Sequence, residues 1–365
     1  MRKIFILAMV VMSIAVTSCK KDNDEPRIDD QYHSTTQLWP AYSPSSKMYG
    51  YIDASGSFVI PPQFDLAYNF SCGMGLVRMS DKYYFIDAKG QFKSSGYDDA
   101  WLFANGYACV LINGYLGLVD KNFNLVLQPM YYDLGDVYEG LIAYKLRSGE
   151  KMGYMDTKGN IVIQPSYSSA SDFRDGLASV ENSTYMIDKQ GKIAIPAVYD
   201  RIVSLGNGCL GFVQGDKCGM TDLKGNVLAQ PIYYNIWGDW ANTGLFMVVD
   251  FNGNGGYLNN KGQVAIPLTF KDNLYVFYDQ LTFAEMPNGN YAAIDRNGKT
   301  VFMLGENVYP STTFKNGLAL VYTYKNGNYT YQYLNQTGKV IYQWIETSAY
   351  APERRKTPSV TLKNK

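Results

Sequence analysis

One short pattern recurs nine times along this chain of 365 residues: an apolar residue, Asp or Asn, two variable residues and Gly. The spacings between successive Asp or Asn residues are 34, 33, 36, 32, 34, 37, 36 and 40 residues. Units of this length must stack on their neighbours to bury an apolar face, so the period predicts a solenoid, a propeller or a related array. The Asp or Asn residues are Asp53, Asp87, Asp120, Asp156, Asp188, Asp222, Asn259, Asp295 and Asn335, and in the third copy Phe123 replaces the Gly.

Each copy predicts a β-hairpin followed by a third strand, as in YMDTKGNIVIQPSYSSASDFRDGLASV from Tyr154 onward. Asp156 favours a turn because its carboxylate can accept hydrogen bonds from backbone amides, and Gly159 supplies a positive φ. The proline is expected to end the second strand because it has no amide to donate. Two bulky residues six positions apart, Tyr167 and Phe173, are predicted to fill packing sites between units. The equivalent pairs are Phe64/Phe70, Tyr97/Phe103, Tyr132/Tyr138, Tyr199/Leu205, Tyr234/Trp240 and Phe270/Val276.

These motifs resemble the WG-repeat family of bacterial proteins, whose repeat runs G-Y-x-D-x-x-G, an apolar strand, P, Y-D-D-A or similar, F and G-L-A-x-V. The resemblance extends from about Lys47 to Trp344, and KMGYMDTKGNIVIQP followed by FRDGLASV is among the best matches. The Trp of the Trp-Gly pair is missing, and the Gly alone remains at Gly50, Gly117, Gly153, Gly219 and Gly256. The resemblance implies a binding or scaffold module without fixed catalytic residues, ligand or cofactor.

The expected fold is all-β, with nine tandem three-stranded β-repeats of about 34 residues over residues 47–345. The composition agrees, since 32 tyrosines favour strands and 34 glycines favour turns. We expect a propeller-like or spiral array. An open β-solenoid is the alternative, because three strands are fewer than a regular propeller blade has, and nine units exceed the usual closed ring.

The N-terminus predicts export and lipidation. A positive start is followed by the apolar run Ile4 to Val16, which is too short to span a bilayer, so residues 1–18 are a predicted signal peptide. The sequence Val16-Thr17-Ser18-Cys19 resembles the lipobox of bacterial lipoproteins, in which the cysteine becomes the lipidated first residue. Cys19 is therefore the predicted lipid attachment site, and the acyl chains are the expected contact with the membrane.

Residues 19–46 are polar and charged, which predicts a flexible tether. Its acidic residues Asp22, Asp24 and Glu25 resemble an export signal of surface lipoproteins. We expect an outer-membrane lipoprotein and leave open which leaflet it occupies. The C-terminal residues 346–365 form a basic tail that is expected to be a solvated end.

Charge and residue types exclude several functions. Lys plus Arg and Asp plus Glu number 33 each, so the chain has no excess of positive charge with which to bind nucleic acid. We also expect a monomer. The single histidine, His33, lies in the tether, which excludes histidine triads and histidine zinc sites in the repeats. The repeated Asp residues supply one carboxylate per turn, too few for calcium. We therefore predict no catalytic residue, metal or cofactor. Whether Cys72, Cys109, Cys209 and Cys218 form a disulfide, for instance Cys209 with Cys218, stays open.

The segment Pro231 to Gly244 departs most from the repeat and contains two tryptophans. Trp237 has no counterpart in other copies and is expected to be exposed. With Tyr233 and Tyr278 it forms the predicted binding surface, which would stack on sugar rings or anchor a protein. The alternative is that these rings pack between units.

The leading functional hypothesis is a non-enzymatic binding or scaffold lipoprotein of the cell envelope with a protein or glycan partner. The alternative is a carbohydrate-active enzyme or its sugar-binding accessory. Two carboxylates facing each other in an aromatic-lined cleft would favour that alternative.

Overall fold

The computed structural model describes residues 36–239 and 241–347, and every regular element in these ranges is a β-strand. The predicted signal peptide, Cys19, Trp240 and residues 348–365 lie outside the described residues. Nothing in the described ranges forms a helix that is long and apolar enough to cross a membrane.

Nine small antiparallel sheets follow one another along the described chain and form a ring, so the fold is a β-propeller. Blades 1 to 3 are β1 (Trp39–Ser43), β2 (Met48–Ile52) and β3 (Phe58–Phe64); β4 (Leu66–Ala67), β5 (Gly75–Met79) and β6 (Lys82–Ile86); and β7 (Asp99–Ala100), β8 (Tyr107–Ile112), β9 (Tyr115–Asp120) and β10 (Leu125–Tyr131). Blades 4 to 6 are β11 (Asp133–Leu134), β12 (Leu141–Lys145), β13 (Met152–Asp156) and β14 (Ile161–Tyr167); β15 (Leu177–Val180), β16 (Tyr185–Asp188) and β17 (Ile193–Ile195); and β18 (Arg201–Gly206), β19 (Cys209–Gln214), β20 (Lys217–Asp222) and β21 (Val227–Tyr233). Blades 7 to 9 are β22 (Asn235–Ile236), β23 (Leu245–Val249), β24 (Asn254–Asn259) and β25 (Val264–Lys271); β26 (Leu281–Glu285), β27 (Tyr291–Asp295) and β28 (Thr300–Met303); and β29 (Tyr309–Pro310), β30 (Leu318–Lys325), β31 (Asn328–Asn335) and β32 (Val340–Thr347).

The boundary between blades differs from the predicted boundary between repeats. In blade 4 the order is β11-β12-β13-β14, so the strand of the G-L-x-x-V motif pairs with the hairpin that follows it. The expectation that this strand completes the preceding hairpin is wrong. The loop after each proline-containing strand crosses to the next blade, and that crossing supplies packing between neighbours.

The predicted turn is confirmed in detail at Asp156. Its Oδ1 accepts hydrogen bonds from the amides of Lys158 (2.8 Å) and Asn160 (2.9 Å), and its backbone oxygen accepts the amide of Gly159 (3.1 Å). Gly159 has a φ of 82°. Phe123, which replaces this glycine in the third copy, takes the same left-handed region at 63°.

Most of the prolines do not end their strands, contrary to the prediction; the exception is Pro196, since β17 ends at Ile195 directly before it. Strand β14 continues through Pro165 to Tyr167, and its pairing with β13 shifts register there. The repeated glycine before the tyrosine makes room for this irregularity: a Cβ on Gly153 would lie 2.6 Å from the Ile163 oxygen and 2.7 Å from the Pro165 nitrogen. The same close approach occurs at Gly50 and Gly256. This contact explains why Gly persists where the Trp of the family motif is lost.

Aromatic packing between blades is confirmed for most predicted pairs. Phe173 is fully buried, and its ring meets Tyr154 of the preceding blade edge-on at 4.7 Å. Equivalent contacts are Tyr51–Phe70, Phe85–Phe103 and Tyr257–Phe277. The prediction is wrong for Tyr132 and Tyr234, which are 57% and 61% exposed, and for Val276, whose neighbour Phe277 takes the buried place.

The ring closes where blade 1 packs on blade 9. Trp39 and Trp344 belong to one buried cluster, and each is about 5% exposed or less. The Trp39 Nε1 donates to the Lys315 oxygen (3.2 Å), and the Tyr333 hydroxyl donates to the Pro40 oxygen (2.9 Å). The propeller is confirmed, and the open solenoid is not supported by this geometry.

Two smaller predictions need correction. Residues 39–43 were assigned to the tether, but they form β1, because Trp39 and Ala41 have buried sites against the last blade. The disulfide left open between Cys209 and Cys218 is absent: both are free thiols, and they face Asp222 and Val213 across the strands rather than each other.

Candidate functional site

The three predicted surface aromatics do not form an exposed surface. Tyr278 is 9% exposed, so its prediction is wrong; burial raises its pKa to about 12, and the Lys315 ammonium lies 5.9 Å from its ring centre. Tyr233 is half-buried and packs against the blade 6–7 core. Trp237 is half-buried, and its amide donates to the Met247 oxygen. The exposed aromatic pair in this region is Tyr234 with Phe251, at 5.7 Å.

A row of partly exposed tyrosines lies on blade 9 instead. The hairpin strands β30 and β31 have eight residues each. The strands equivalent to β30 in blades 2 to 8 have four to six. The blade 9 hairpin therefore extends at least two residues, about 7 Å, further than its neighbours. Tyr309, Tyr322, Tyr324 and Tyr329 lie on one face of it, and we call these four residues the tyrosine strip.

Cross-strand pairing places the four rings side by side. Tyr309 is opposite Tyr322, and Tyr324 is opposite Tyr329. The ring centres are 5.6 Å apart for Tyr309–Tyr322, 5.9 Å for Tyr322–Tyr329 and 4.7 Å for Tyr324–Tyr329. Tyr309 is 38% exposed and Tyr324 is 52% exposed, while Tyr322 and Tyr329 are half-buried. The strip is thus a continuous aromatic surface.

Buried rings flank the strip on the same face of the sheet. Tyr329 stacks on Tyr331 at 6.0 Å with an interplanar angle of 20°, and Tyr331 stacks on Trp344 at 5.2 Å and 21°. Tyr331 is 7% exposed and Trp344 is 4% exposed. Tyr331 and Trp344 belong to the buried cluster between blades 9 and 1, so the rings of the strip that contact them are preorganised. Ligand binding would cost little side-chain entropy there.

Few charges lie beside the strip. Glu346 is opposite Tyr329 but is 6% exposed, and its Oε1 accepts hydrogen bonds from the Tyr49 hydroxyl and the Trp344 Nε1, both 2.9 Å long. Lys325 occupies the hairpin end and is exposed. The strip therefore presents aromatic faces and hydroxyl groups rather than an ionic site.

The sequence contains a signal for the strip that lies outside the predicted binding segment Pro231 to Gly244. LVYTYKNGNYTYQYLN, from Leu320 to Asn335, places tyrosines at every second position on both strands of a hairpin. A period of two places such side chains on one face of a sheet. The sequence does not show whether a neighbouring blade covers that face.

A cluster of charged side chains lies on the loops of blades 4 and 5. Asp136 and Asp172 occupy equivalent loop positions, directly before the buried Val137 and Phe173. The Asp172 carboxylate lies over Gly135, since a Cβ there would be 2.8 Å from Oδ1. Both residues are half-buried.

Burial raises the pKa of both carboxyl groups, and the charge of Asp136 raises the pKa of Asp172 further. The Arg174 guanidinium opposes both shifts and lies 4.1 Å above the ring of Tyr138. The Tyr138 side chain is 4% exposed. The cluster brings two electrostatically coupled carboxyl groups and one arginine beside the ring of Tyr138.

Other kinds of site find less support in the described ranges. No group of three or more His, Cys, Asp or Glu side chains is placed to hold a metal ion there. A cavity of about 120 Å³ lies between blades 6 and 7, lined by Arg201, Phe212, Cys218 and Asn235 among others. Pockets for small organic ligands are usually about 300–1,000 Å³, so this cavity suits at most a few waters or a small fragment.

The architecture defines the class of protein: a β-propeller built from short tandem sequence repeats. Five consecutive segments match the WG containing repeat: residues 49–83, 85–115, 117–148, 152–183 and 186–218. The predicted resemblance to the WG-repeat family is therefore confirmed over residues 49–218. No curated protein sequence matches the chain.

Several solved structures are similar to this chain. The extracellular domain of a putative hybrid two-component system from B. thetaiotaomicron is 11% identical with a TM-score of 0.26, covering 84% of this chain and 48% of its own, so this chain spans about half of that domain. A quinonprotein alcohol dehydrogenase-like protein from Bacteroides thetaiotaomicron is 10% identical (TM-score 0.32; 87% and 77% covered). A prolyl endopeptidase is 12% identical (TM-score 0.37; 76% and 54% covered). At such scores these likenesses say nothing about function.

Proposed function

We propose that this protein is a non-enzymatic binding module of the bacterial cell envelope, anchored through a lipid on Cys19, and that the tyrosine strip is its binding surface. The observation that carries the proposal is the continuous row of partly exposed rings from Tyr309 to Tyr329, supported by buried rings. Exposed aromatic patches of this kind mark interaction sites, and tyrosine supplies contact area at low entropic cost.

The position of the strip suits an anchored protein. Strand β1 begins at Trp39, which packs against blade 9, so the chain between Cys19 and the propeller joins it beside the blade that bears the strip. Nineteen residues lie between Cys19 and Trp39. A tether of that length reaches at most about 70 Å when fully extended.

Site-specific photo-crosslinking tests the proposal. The full chain is produced in bacteria with Tyr324 replaced by the photoreactive residue p-benzoylphenylalanine, and cell envelopes are illuminated. The matched control carries the same residue in place of Tyr132, which is 57% exposed on blade 4. We expect adducts from position 324 that are absent from position 132 and are lost when Tyr329→Ala is added. Equal adducts from both positions would reject the strip as the binding surface.

The acidic pair supports a second candidate function, a carbohydrate-active enzyme. Glycoside hydrolysis needs one protonated and one ionised carboxyl group, and shared burial with mutual repulsion keeps one of two such groups protonated near neutral pH. Asp136 and Asp172 meet that electrostatic requirement. Release of reducing sugar from polysaccharides tests this candidate. Activity that Asp136→Asn and Asp172→Asn each abolish, and that the exposed turn variant Asp216→Asn retains, would establish it over the binding role.

A further inference from the structure

We infer that the ligand of the tyrosine strip is a neutral glycan segment; this inference rests on the proposed function and names its ligand class. The contributing residues are Tyr309, Tyr324 and Tyr329, whose rings have accessible faces or edges, with Tyr322 joining them.

The shape of the surface favours a chain of sugar rings over a protein. Protein hot spots are anchors inserted into well-packed pockets and surrounded by a seal of other contacts. The strip is instead a patch across β29, β30 and β31, with neighbouring ring centres 4.7 to 5.9 Å apart and ring planes tilted by 33° to 54°. A patch of this kind can contact the apolar C–H faces of neighbouring sugar rings.

The chemistry of the strip also matches a sugar. A pyranose ring has an apolar face and a rim of hydroxyl groups, and tyrosine has an apolar face and one hydroxyl group that both donates and accepts hydrogen bonds. The exposed aliphatic side chain on β32 nearest the strip, Ile345, is 56% exposed and is opposite Thr330, while the exposed Val340 is opposite Leu334 at the far end of the pairing. Thr330 alternates with Tyr329 and Tyr331, so Ile345 lies on the other face. The strip face therefore lacks an aliphatic anchor at this point.

The charges beside the strip favour a neutral ligand. The Glu346 carboxylate is buried and already accepts two hydrogen bonds, so it does not offer a free charge to a cationic ligand. Lys325 is a single cation at the hairpin end, whereas sulfated or uronic glycans are bound by clusters of Lys and Arg. A neutral glycan is the class that the strip accommodates without desolvating an unpaired charge.

Native affinity electrophoresis tests the ligand class with the full-length chain in a detergent that lacks sugar headgroups. The gels contain a neutral polysaccharide (a β-glucan, a galactomannan or soluble starch) or an anionic one (polygalacturonate or heparin). We expect at least one neutral polysaccharide to retard the protein. Tyr324→Ala and Tyr329→Ala should each weaken that binding about tenfold or more, as expected for a buried-face aromatic contact. Tyr324→Phe should retain most of it.

The matched control is Tyr132→Ala, since Tyr132 is 57% exposed and Tyr324 is 52% exposed. We expect this variant to bind like the unaltered protein. The inference would be overturned by any of three results: no neutral polysaccharide retards the protein, only anionic polysaccharides retard it, or the Tyr324 and Tyr329 variants bind like the unaltered protein. If the glycan inference fails but position 324 still crosslinks to a protein, the binding role stands with a protein partner. If position 324 forms no specific crosslink either, both proposals are wrong.

Discussion

Trp344 is the residue at which the closed ring can be tested directly. It is 4% exposed in the cluster shared by blades 1 and 9, with ring neighbours Tyr331, Tyr333 and Tyr342 at 5.2 to 5.9 Å. Trp344→Ala empties a site surrounded by rigid rings that cannot collapse into it. Such truncations cost about 3–5 kcal/mol of unfolding free energy.

A second contribution comes from the indole nitrogen, which donates a 2.9 Å hydrogen bond to the buried carboxylate of Glu346. Hydrogen bonds to charged groups contribute about 1.5–3 kcal/mol. Trp344→Phe isolates this part because most of the ring volume remains. We therefore expect a loss of about 2 kcal/mol for Trp344→Phe and of about 5 kcal/mol for Trp344→Ala.

Urea unfolding followed by far-UV circular dichroism measures both losses, and Phe173→Ala between blades 4 and 5 provides the comparison. Blade 9 is an interior blade of a closed ring, so Trp344→Ala and Phe173→Ala should lower the midpoint of the main transition by similar amounts. In an open array, blades 1 and 9 would be the two ends. Trp344→Ala would then unfold only the terminal blade at a lower urea concentration and leave the midpoint of the main transition unchanged. That result would refute the closed ring.

Three further predictions concern local features. Gly153→Ala should lower the free energy of unfolding by about 1–3 kcal/mol in urea, because its Cβ would lie 2.6 Å from a backbone oxygen, whereas Gly305→Ala, with 3.5 Å to Val308 Cγ2, should change it little. The contribution of Asp136 and Asp172 to stability should fall as pH rises above the ordinary aspartate pKa of about 3.9, because their raised pKa values make the folded state bind protons that the unfolded state has lost. The thermal midpoint of the unaltered protein should therefore drop, relative to that of Asp136→Asn with Asp172→Asn, as pH rises from about 4 to about 8, and a constant difference would contradict the assignment. Cys19→Ala should move the protein from the membrane fraction to the soluble fraction and abolish labelling by a palmitate analogue; retained labelling would place the lipid elsewhere.

Features that depend on residues close together in the chain were predicted correctly, whereas features that depend on pairing between strands were predicted less well. The turn at Asp156 depends on amides two and four residues away, so its geometry was predictable from the motif alone. The Gly153–Pro165 contact needs the pairing of two strands, and the predicted strand end was wrong because the register shift accommodates the proline. The buried aromatic of each pair was predictable where the spacing is constant, as at Phe173, and failed at Tyr132, where a shift of one position moves the side chain to the other face.

The sequence by itself determined the all-β class, the nine copies and the chemistry of their turns, because these depend on residues close together in the chain. The tertiary structure alone decided the phase of the blades, the closure through Trp39 and Trp344, and which aromatic rings stay accessible. Closure depends on small rotations between blades that accumulate around the whole ring. Exposure of the tyrosine strip depends on a hairpin that outgrows its neighbours, a comparison between blades that no single repeat contains.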